Sequence, residues 1–196
     1  MKKLALAAMI GMLSAGAFAA QGDILARFRV IDVDPSASWS SSAPGLNVDA
    51  KSSPALELDF TYMITNNIGT ELILGTSRHK ITANGADIGK VSVLPPTVTV
   101  QYHFAPEATF RPYVGAGVNY TRFYNDGLGN GAITVKKNSF GPALQAGADI
   151  AINKNWFVNF DVKKLWVQTD VSAGGAKLGT LHIDPWVFGV GVGTKF

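Results

Sequence analysis

Three histidines, at positions 79, 103 and 182, are the only imidazoles in a 196-residue chain that contains no cysteine. The missing thiols exclude disulfide scaffolds, thiol nucleophiles and zinc–thiolate sites together. Nucleophilic catalysis would need a serine or threonine within hydrogen-bond reach of a base, and a third group to orient that base. Period-two reading of the flanking segments puts His103 in one half of the molecule, and His79 and His182 at the other rim on different strands. No serine–histidine pair is expected at one depth, and three dispersed histidines lack metal-ligand spacing. The GVGVG stretch at 189–193 is not a phosphate loop, because no GxxxxGK[ST] pattern accompanies it. The reading is therefore not an enzyme, with no catalytic residue, no metal and no cofactor. The remaining chemistry is ionic: Arg27, Arg29, Glu57, Asp59, Glu71, Asp149, Asp161 and Lys195 recur beside residues of apolar character.

The elements that must position these groups show period-two alternation, the mark of strands with two unlike faces. In ALELDFTYMI, residues 55–64, Leu56, Leu58, Phe60, Tyr62 and Ile64 share one face, and Glu57, Asp59, Thr61 and Met63 the other. Eight such segments are expected, at 24–33, 54–64, 69–79, 94–104, 111–124, 139–151, 156–168 and 182–196. Their connections alternate between tight turns and longer stretches (34–53, 80–93, 125–138, 169–181) rich in Gly, Ser, Asn and Asp. This predicts an all-β, eight-stranded antiparallel up-and-down barrel with short turns at one end and long loops at the other.

Which face points outward decides the environment. The polar face carries Gly115, Gly117, Gly189, Gly191 and Gly193, and small residues suit a narrow barrel's crowded interior. The apolar face carries Tyr62, Phe104, Trp156, Trp186 and Phe196 at strand ends, where membrane-interface girdles fall. Strands of about ten residues match a tilted membrane crossing, and a closed barrel is the β structure that satisfies its backbone in lipid. A transmembrane barrel with short periplasmic turns and long extracellular loops is expected, rather than a soluble lipocalin-like one.

At 16% the charged fraction lies below the ~25% of soluble domains. A net charge of +3 without basic runs gives no nucleic-acid groove. Lys2 and Lys3, the apolar LALAAMIGML and the small-x-small AFA read as a secretory signal over residues 1–19, with Ala17 and Ala19 at −3 and −1. The barrel domain is then 20–196, with its first strand running outward from the periplasm.

With that polarity the inward residues sort by depth. Arg27, Arg29, Glu57, Asp59, Glu71, Asp149, Asp161 and Lys195 fall towards the periplasm, a charged plug whose buried members need partners. Ile31, Val33, Leu165, Val167, Ile183 and Val187 fall towards the outside, with Ile73 between, and form an apolar path. Lumens of membrane barrels are normally polar, so an apolar stretch points to an apolar ligand. Pro95, Pro96, Pro142 and Pro185 sit in the outer halves of inward-running strands, where a missing donor loosens the wall and offers a lateral exit; Pro54 simply begins a strand. In VKKLW, alternation turns one of Lys163 and Lys164 towards lipid, unless a bulge resets the parity and turns Trp166 inward.

The motifs LDFTYM at 58–63, NIGTEL at 67–72, RHKI at 78–81, LPPT at 94–97, RPYVGAGVNYTRF at 111–123, NWFVN at 155–159 and DPWVF at 184–188 resemble the outer membrane protein W (OmpW) family, which includes alkane-import relatives. The resemblance runs in order from about residue 56, while 20–53 match loosely. It implies an outer-membrane location and a narrow, partly apolar lumen that passes small hydrophobic molecules, with release through the wall. Phe196 resembles the C-terminal signal that such barrels present to the barrel assembly machinery. Lys163 departs from the lumenal aromatic residues of relatives. The function expected is passive uptake of small hydrophobic substrates. The alternative is a structural or surface-interaction barrel, in which Arg78, His79, Lys80, Lys90, Lys136, Lys137 and Lys164 at the outer rim pair with lipopolysaccharide.

Overall fold

The computed structural model describes residues 20–41 and 45–196; the signal-peptide expectation for 1–19 lies outside them. The strands in chain order are β1 (Ile24–Asp34), β2 (Ser38–Ser41), β3 (Val48–Ala50), β4 (Ser53–Met63), β5 (Ile68–Ala83), β6 (Ala86–Leu94) and β7 (Thr97–His103). There follow β8 (Phe110–Tyr124), β9 (Ile133–Val135), β10 (Asn138–Ala151), β11 (Trp156–Leu165), β12 (Gln168–Ala173), β13 (Ala176–His182) and β14 (Trp186–Lys195).

Eight staves close the barrel, all neighbours antiparallel. The ring runs β1, β4, β5, the broken stave β6/β7, β8, β10, β11 and β14, and β14 returns to β1 through ten residue pairs from Leu25↔Lys195 to Asp34↔Trp186. Apart from an interruption at Pro95–Pro96, the staves are paired on both sides around the ring, as lipid demands. At the base the connections are the short stretches 64–67, 104–109 and 152–155.

Burial is inverted relative to a water-soluble protein. Along β4, Leu56, Leu58, Phe60 and Tyr62 are 57%, 40%, 42% and 48% exposed, while Glu57, Asp59 and Thr61 are 5%, 0% and 0%. Exposed aromatics gird both ends of the apolar band: Tyr62, Phe104, Phe110, Trp156 and Phe196 below, and Tyr120, Phe140, Trp166 and Trp186 above. That is the surface a lipid-facing barrel presents.

The inward glycines make room for large lumenal neighbours. A Cβ on Gly191 would collide with the Phe28 carbonyl, and one on Gly193 with the Phe157 ring. β14 thus surrenders its inner face to the side chains of β1 and β11.

The outer connections differ from the loops expected of them. Residues 80–93 form a hairpin, since β5 continues to Ala83 and turns through Asn84 and Gly85, both at positive φ (49° and 81°), into β6. Residues 169–181 form another, β12–β13, turning at Gly174–Gly175. With β2 from 34–53 and β9 from 125–138 this hairpin makes a second, four-stranded sheet, β2-β13-β12-β9, above the barrel. Two expected strands are also shorter: 94–104 begins at Thr97 after the prolines, and 182–196 begins at Trp186.

Candidate functional site: a stacked lumen

The lumen is built in three storeys. Lowest is an apolar stopper of Leu25, Met63 and Phe157, each at most 1% exposed. The guanidinium carbons of Arg27 and Arg111 lie 5.5 Å and 5.4 Å from the centre of the Phe157 ring, so the stopper also seats the layer above.

The middle storey is ionic. Arg27 clamps Asp149 through two bonds, Nε to Oδ1 at 3.1 Å and Nη2 to Oδ2 at 2.9 Å, and its Nη1 donates to Asp59 Oδ1 and Thr61 Oγ1. Arg29 donates to Asn159 Oδ1 and Glu57 Oε1, both at 2.6 Å, and its Nη1 lies 2.8 Å from Asp59 Oδ2. Glu71 accepts from Arg29 Nη2 at 3.5 Å and from Thr99 at 3.0 Å. Asp161 accepts from Tyr113 at 2.7 Å and Gln145 at 2.8 Å. Seven of the eight residues expected in the plug meet in this layer. Lys195 does not: its Nζ lies at the foot of the barrel, 3.3 Å from Asp23.

The parity of VKKLW is now explicit. Lys163 points inward, 2.8 Å from Glu57 Oε1 and 2.6 Å from Asp161 Oδ1. Lys164 points outward to the Asp184 carbonyl, with its ammonium 5.1 Å from the centre of the Trp186 ring. Trp166 is 37% exposed and faces outward, so no bulge turns it into the lumen. Tyr113, Gln145 and Asn159 completed the network without being singled out in sequence; their inward parity within their strands was the available signal.

Above the ions opens a narrow apolar vestibule. Ile31, Val33, Ile73, Leu165, Val167, Ile183 and Val187 all line it, with Glu57 and Lys163 at its floor. Its upper walls come from the segments expected to be loops, notably Ile81, Val91, Leu128, Val135, Val171 and Leu181.

One polar pair does stand in the upper wall, against expectation. Ser77 Oγ lies 2.8 Å from His79 Nε2, and His79 Nδ1 lies 2.8 Å from the Lys51 carbonyl. Residues two apart on one strand face make this contact available. The imidazole is oriented by a backbone carbonyl rather than a carboxylate, and the bond ties the 51–53 connection to β5. His103, 1% exposed, is bonded to Gln101 Oε1 low in the lumen, and His182 sits at the barrel-side end of β13, opposite Gln168.

The wall has two irregular places. At the first, β5 pairs with β7 up to Ile73↔Thr97 and with β6 from Ser77↔Val93. Between them Pro95 and Pro96 interrupt the stave. Among the described residues Leu74, Gly75 and Thr76 have no ladder partner on that side, and Thr76 Oγ1 donates to the Val93 carbonyl at 3.2 Å instead. Gly75, Thr76, Val93 and Pro95 all line the vestibule, so the cavity reaches this break. At the second, the β10–β11 ladder ends at Ala143↔Leu165, beside Pro142 and Pro185. Here Trp166 N donates to the Pro142 carbonyl at 3.2 Å. The Asn119 amide adds bonds to the carbonyls of Gly141, Pro142 and Trp166 at 3.0, 3.0 and 3.3 Å. The first break borders the cavity and is unladdered on its β5 side, while on its β8 side Tyr120 N donates to the Pro96 carbonyl at 2.9 Å; the second is stitched by a side-chain amide.

Comparison with known proteins agrees with this architecture. The family model described as "OmpW family" matches residues 20–196. Outer membrane protein W of Escherichia coli is 38% identical over 212 aligned positions, covering 100% of both chains. The dibenzothiophene metabolism operon protein PahQ of Pseudomonas aeruginosa is 33% identical, over 78% of this chain and 76% of its own. The crystal structure of outer membrane protein OprG from Pseudomonas aeruginosa superposes with a TM-score of 0.83 at 29% identity, covering 93% of this chain and 99% of that one. An inverted burial pattern, a closed eight-stave ring and a full-length match in sequence converge on one conclusion: this chain belongs to the OmpW family of outer-membrane barrels.

Proposed function

We propose that the barrel admits small hydrophobic molecules into the vestibule from outside and releases them sideways into the outer leaflet through the Pro95–Pro96 break. The observation that carries this reading is the apolar cavity set over a closed base. Burial of a small apolar molecule there is favourable by roughly 25 cal/mol per Å² of apolar surface removed from water. Going further down would strip it against a densely bonded ionic layer and then a packed stopper. Sideways, the cavity meets a wall segment without ladder bonds, and lipid chains on the far side. The PahQ relative, a dibenzothiophene metabolism operon protein, supports a role close to apolar aromatic compounds. Pro142 and Pro185 are the lesser route, because Asn119 holds that seam. The chain is read as a conduit rather than an enzyme, and the Ser77–His79 pair as structural.

The test is uptake of a medium-chain alkane by cells lacking the protein, cells expressing it, and cells expressing equally abundant Leu165→Arg. Uptake that rises with the native barrel and vanishes with the substitution supports the apolar path. Equal uptake in all three, with the barrel folded in the membrane, overturns it in favour of a surface-binding role for the four-stranded outer sheet.

A further inference from the structure

Four cations stand together on the outer face of β5, β6 and β8, just above the apolar band. Arg78, Lys80, Lys90 and Arg122 are all exposed. Register fixes their neighbourhood: Lys80 is the cross-strand partner of Lys90, Arg78 pairs with Ser92, Ser92 with Tyr124, and Leu94 with Arg122. Same-face residues two apart on a strand are about 7 Å apart, and directly opposed ones about 5 Å. The four charges therefore fall within three successive rows.

Little in the protein neutralises them. Among the described residues the one carboxylate within ion-pair distance of the group is Asp87, 3.2 Å from Lys80. Like charges directly opposite on paired strands are destabilising, so Lys80 facing Lys90 is a cost that a bound anion would offset. The arrangement is also one-sided. Two staves along, at the outer end of β1, the outward residues at this level are Asp32 and Asp34, and Lys164 beyond them on β11 is already engaged by the Asp184 carbonyl and the Trp186 ring. A generic solubilising rim would not segregate its signs in this way.

Immediately below the cations the wall turns apolar, with Leu74, Leu94, Val118 and Tyr120 each 38–45% exposed. A partner that fits both halves carries phosphate at the level of the cations and acyl chains beneath it. We propose that Arg78, Lys80, Lys90 and Arg122 form a binding site for the phosphorylated disaccharide of lipid A, whose chains lie against β5, β6 and β8. Arginine supplies bidentate geometry to phosphate and lysine a point charge. The site adjoins the Pro95–Pro96 break but needs no cargo to pass there, so it stands independently of the uptake reading.

The experiment uses the full barrel purified in detergent, with lipid retention read by native mass spectrometry against added bisphosphorylated lipid A. The test variant is Arg78→Gln/Lys90→Gln/Arg122→Gln. The control is Lys154→Gln/Lys177→Gln, which removes positive charge at exposed positions away from the patch. All five side chains are exposed, and heat-modifiability on gels verifies folding of each variant. Each cation near an anionic lipid contributes on the order of fivefold in affinity, so the test variant should lose about a hundredfold and the control almost nothing. Asp87→Asn should tighten retention by freeing Lys80. Equal retention by native and test barrels overturns the proposal, as does equal loss in test and control. Displacement of lipid A by millimolar inorganic phosphate also overturns it, because the patch would then be a general anion site.

Discussion

The side-chain amide of Asn119 on β8 donates to the carbonyl of Trp166 at 3.3 Å, reaching across β10, the strand that lies between them. The contact is possible because Gly141 offers no Cβ; one there would collide with the same carbonyl. A single amide thus substitutes for ladder bonds where the ordered β10–β11 pairing stops.

Asn119→Ala should leave several buried carbonyls short of a donor. The cost is about 1–3 kcal/mol, read as a lower urea midpoint for unfolding in lipid vesicles. Amide exchange should rise at Trp166 and Gln168 and stay unchanged at the Pro95–Pro96 break. A rise at both places would show that the two breaks are not independent.

The ionic layer makes a sharper prediction. Arg27→Met strands Asp149 and Asp59, both nearly fully buried, and breaking such a pair from one side costs about 3–5 kcal/mol. Adding Asp149→Leu should recover part of that loss, since an apolar replacement of both partners leaves fewer uncompensated charges. Chemical denaturation of the two variants, followed by tryptophan fluorescence, separates them; no recovery would mean that Asp149 is held mainly by Asn159.

Closure of the ring is sensitive to one missing side chain. Gly191→Val drives a Cβ into the Phe28 carbonyl at the β1–β14 seam and should abolish the folded, heat-modifiable band. Gly127→Ala, where a Cβ meets nothing within 4 Å, should fold as the native chain does.

The proline break is tested by restoring what proline lacks. Pro95→Ala with Pro96→Ala returns two backbone donors beside Leu74–Thr76 and should tighten the wall, slowing alkane uptake several-fold while leaving loading of the vestibule intact. Binding of a fluorescent apolar probe to the purified barrel reads the loading separately. Uptake as fast as in the native barrel would move the exit elsewhere.

His79 lies above the membrane band, and burial lowers its pKa from the ordinary 6.5, outweighing its bond to the Lys51 carbonyl and the pull of Asp32. The fold therefore favours the neutral ring. Its contribution is complete above about pH 6.5 and is lost as pH falls from there through the lowered folded value. Amide exchange in the 51–53 connection should quicken over that acidic range, and His79→Ala should remove the pH dependence.

Much of this was legible because one physical rule governs most of the chain. A strand between lipid and a narrow lumen must alternate, and ALELDFTYMI states both faces and their order. The rule failed where the chain leaves lipid. In 80–93 both Ile81 and Thr82 are buried because the register shifts between them, and Val91 and Ser92 are both buried as well, although their register is regular. That shift breaks the alternation, and composition then reads as loop. The turn pairs Asn84–Gly85 and Gly174–Gly175 carried the missing signal, since such dipeptides supply the positive φ of a two-residue hairpin. Lys163 was unreadable for another reason: two adjacent lysines give the same pattern in either parity, and only the carboxylates of Glu57, across the lumen, and Asp161, two residues back on the same strand, choose between them.

The length of β5 has a consequence for where the mouth opens. Sixteen residues at about 3.3 Å each, tilted about 40°, rise roughly 40 Å, against an apolar band of roughly 25 Å. The upper third of that stave stands clear of the hydrocarbon, among the hydrated sugars that coat a Gram-negative cell. A greasy molecule crosses such a sugar coat slowly, because nothing there dissolves it. On the uptake proposed above, the barrel would act as a chimney through the coat, its apolar lining running from the ionic layer up past the height where the aqueous barrier begins.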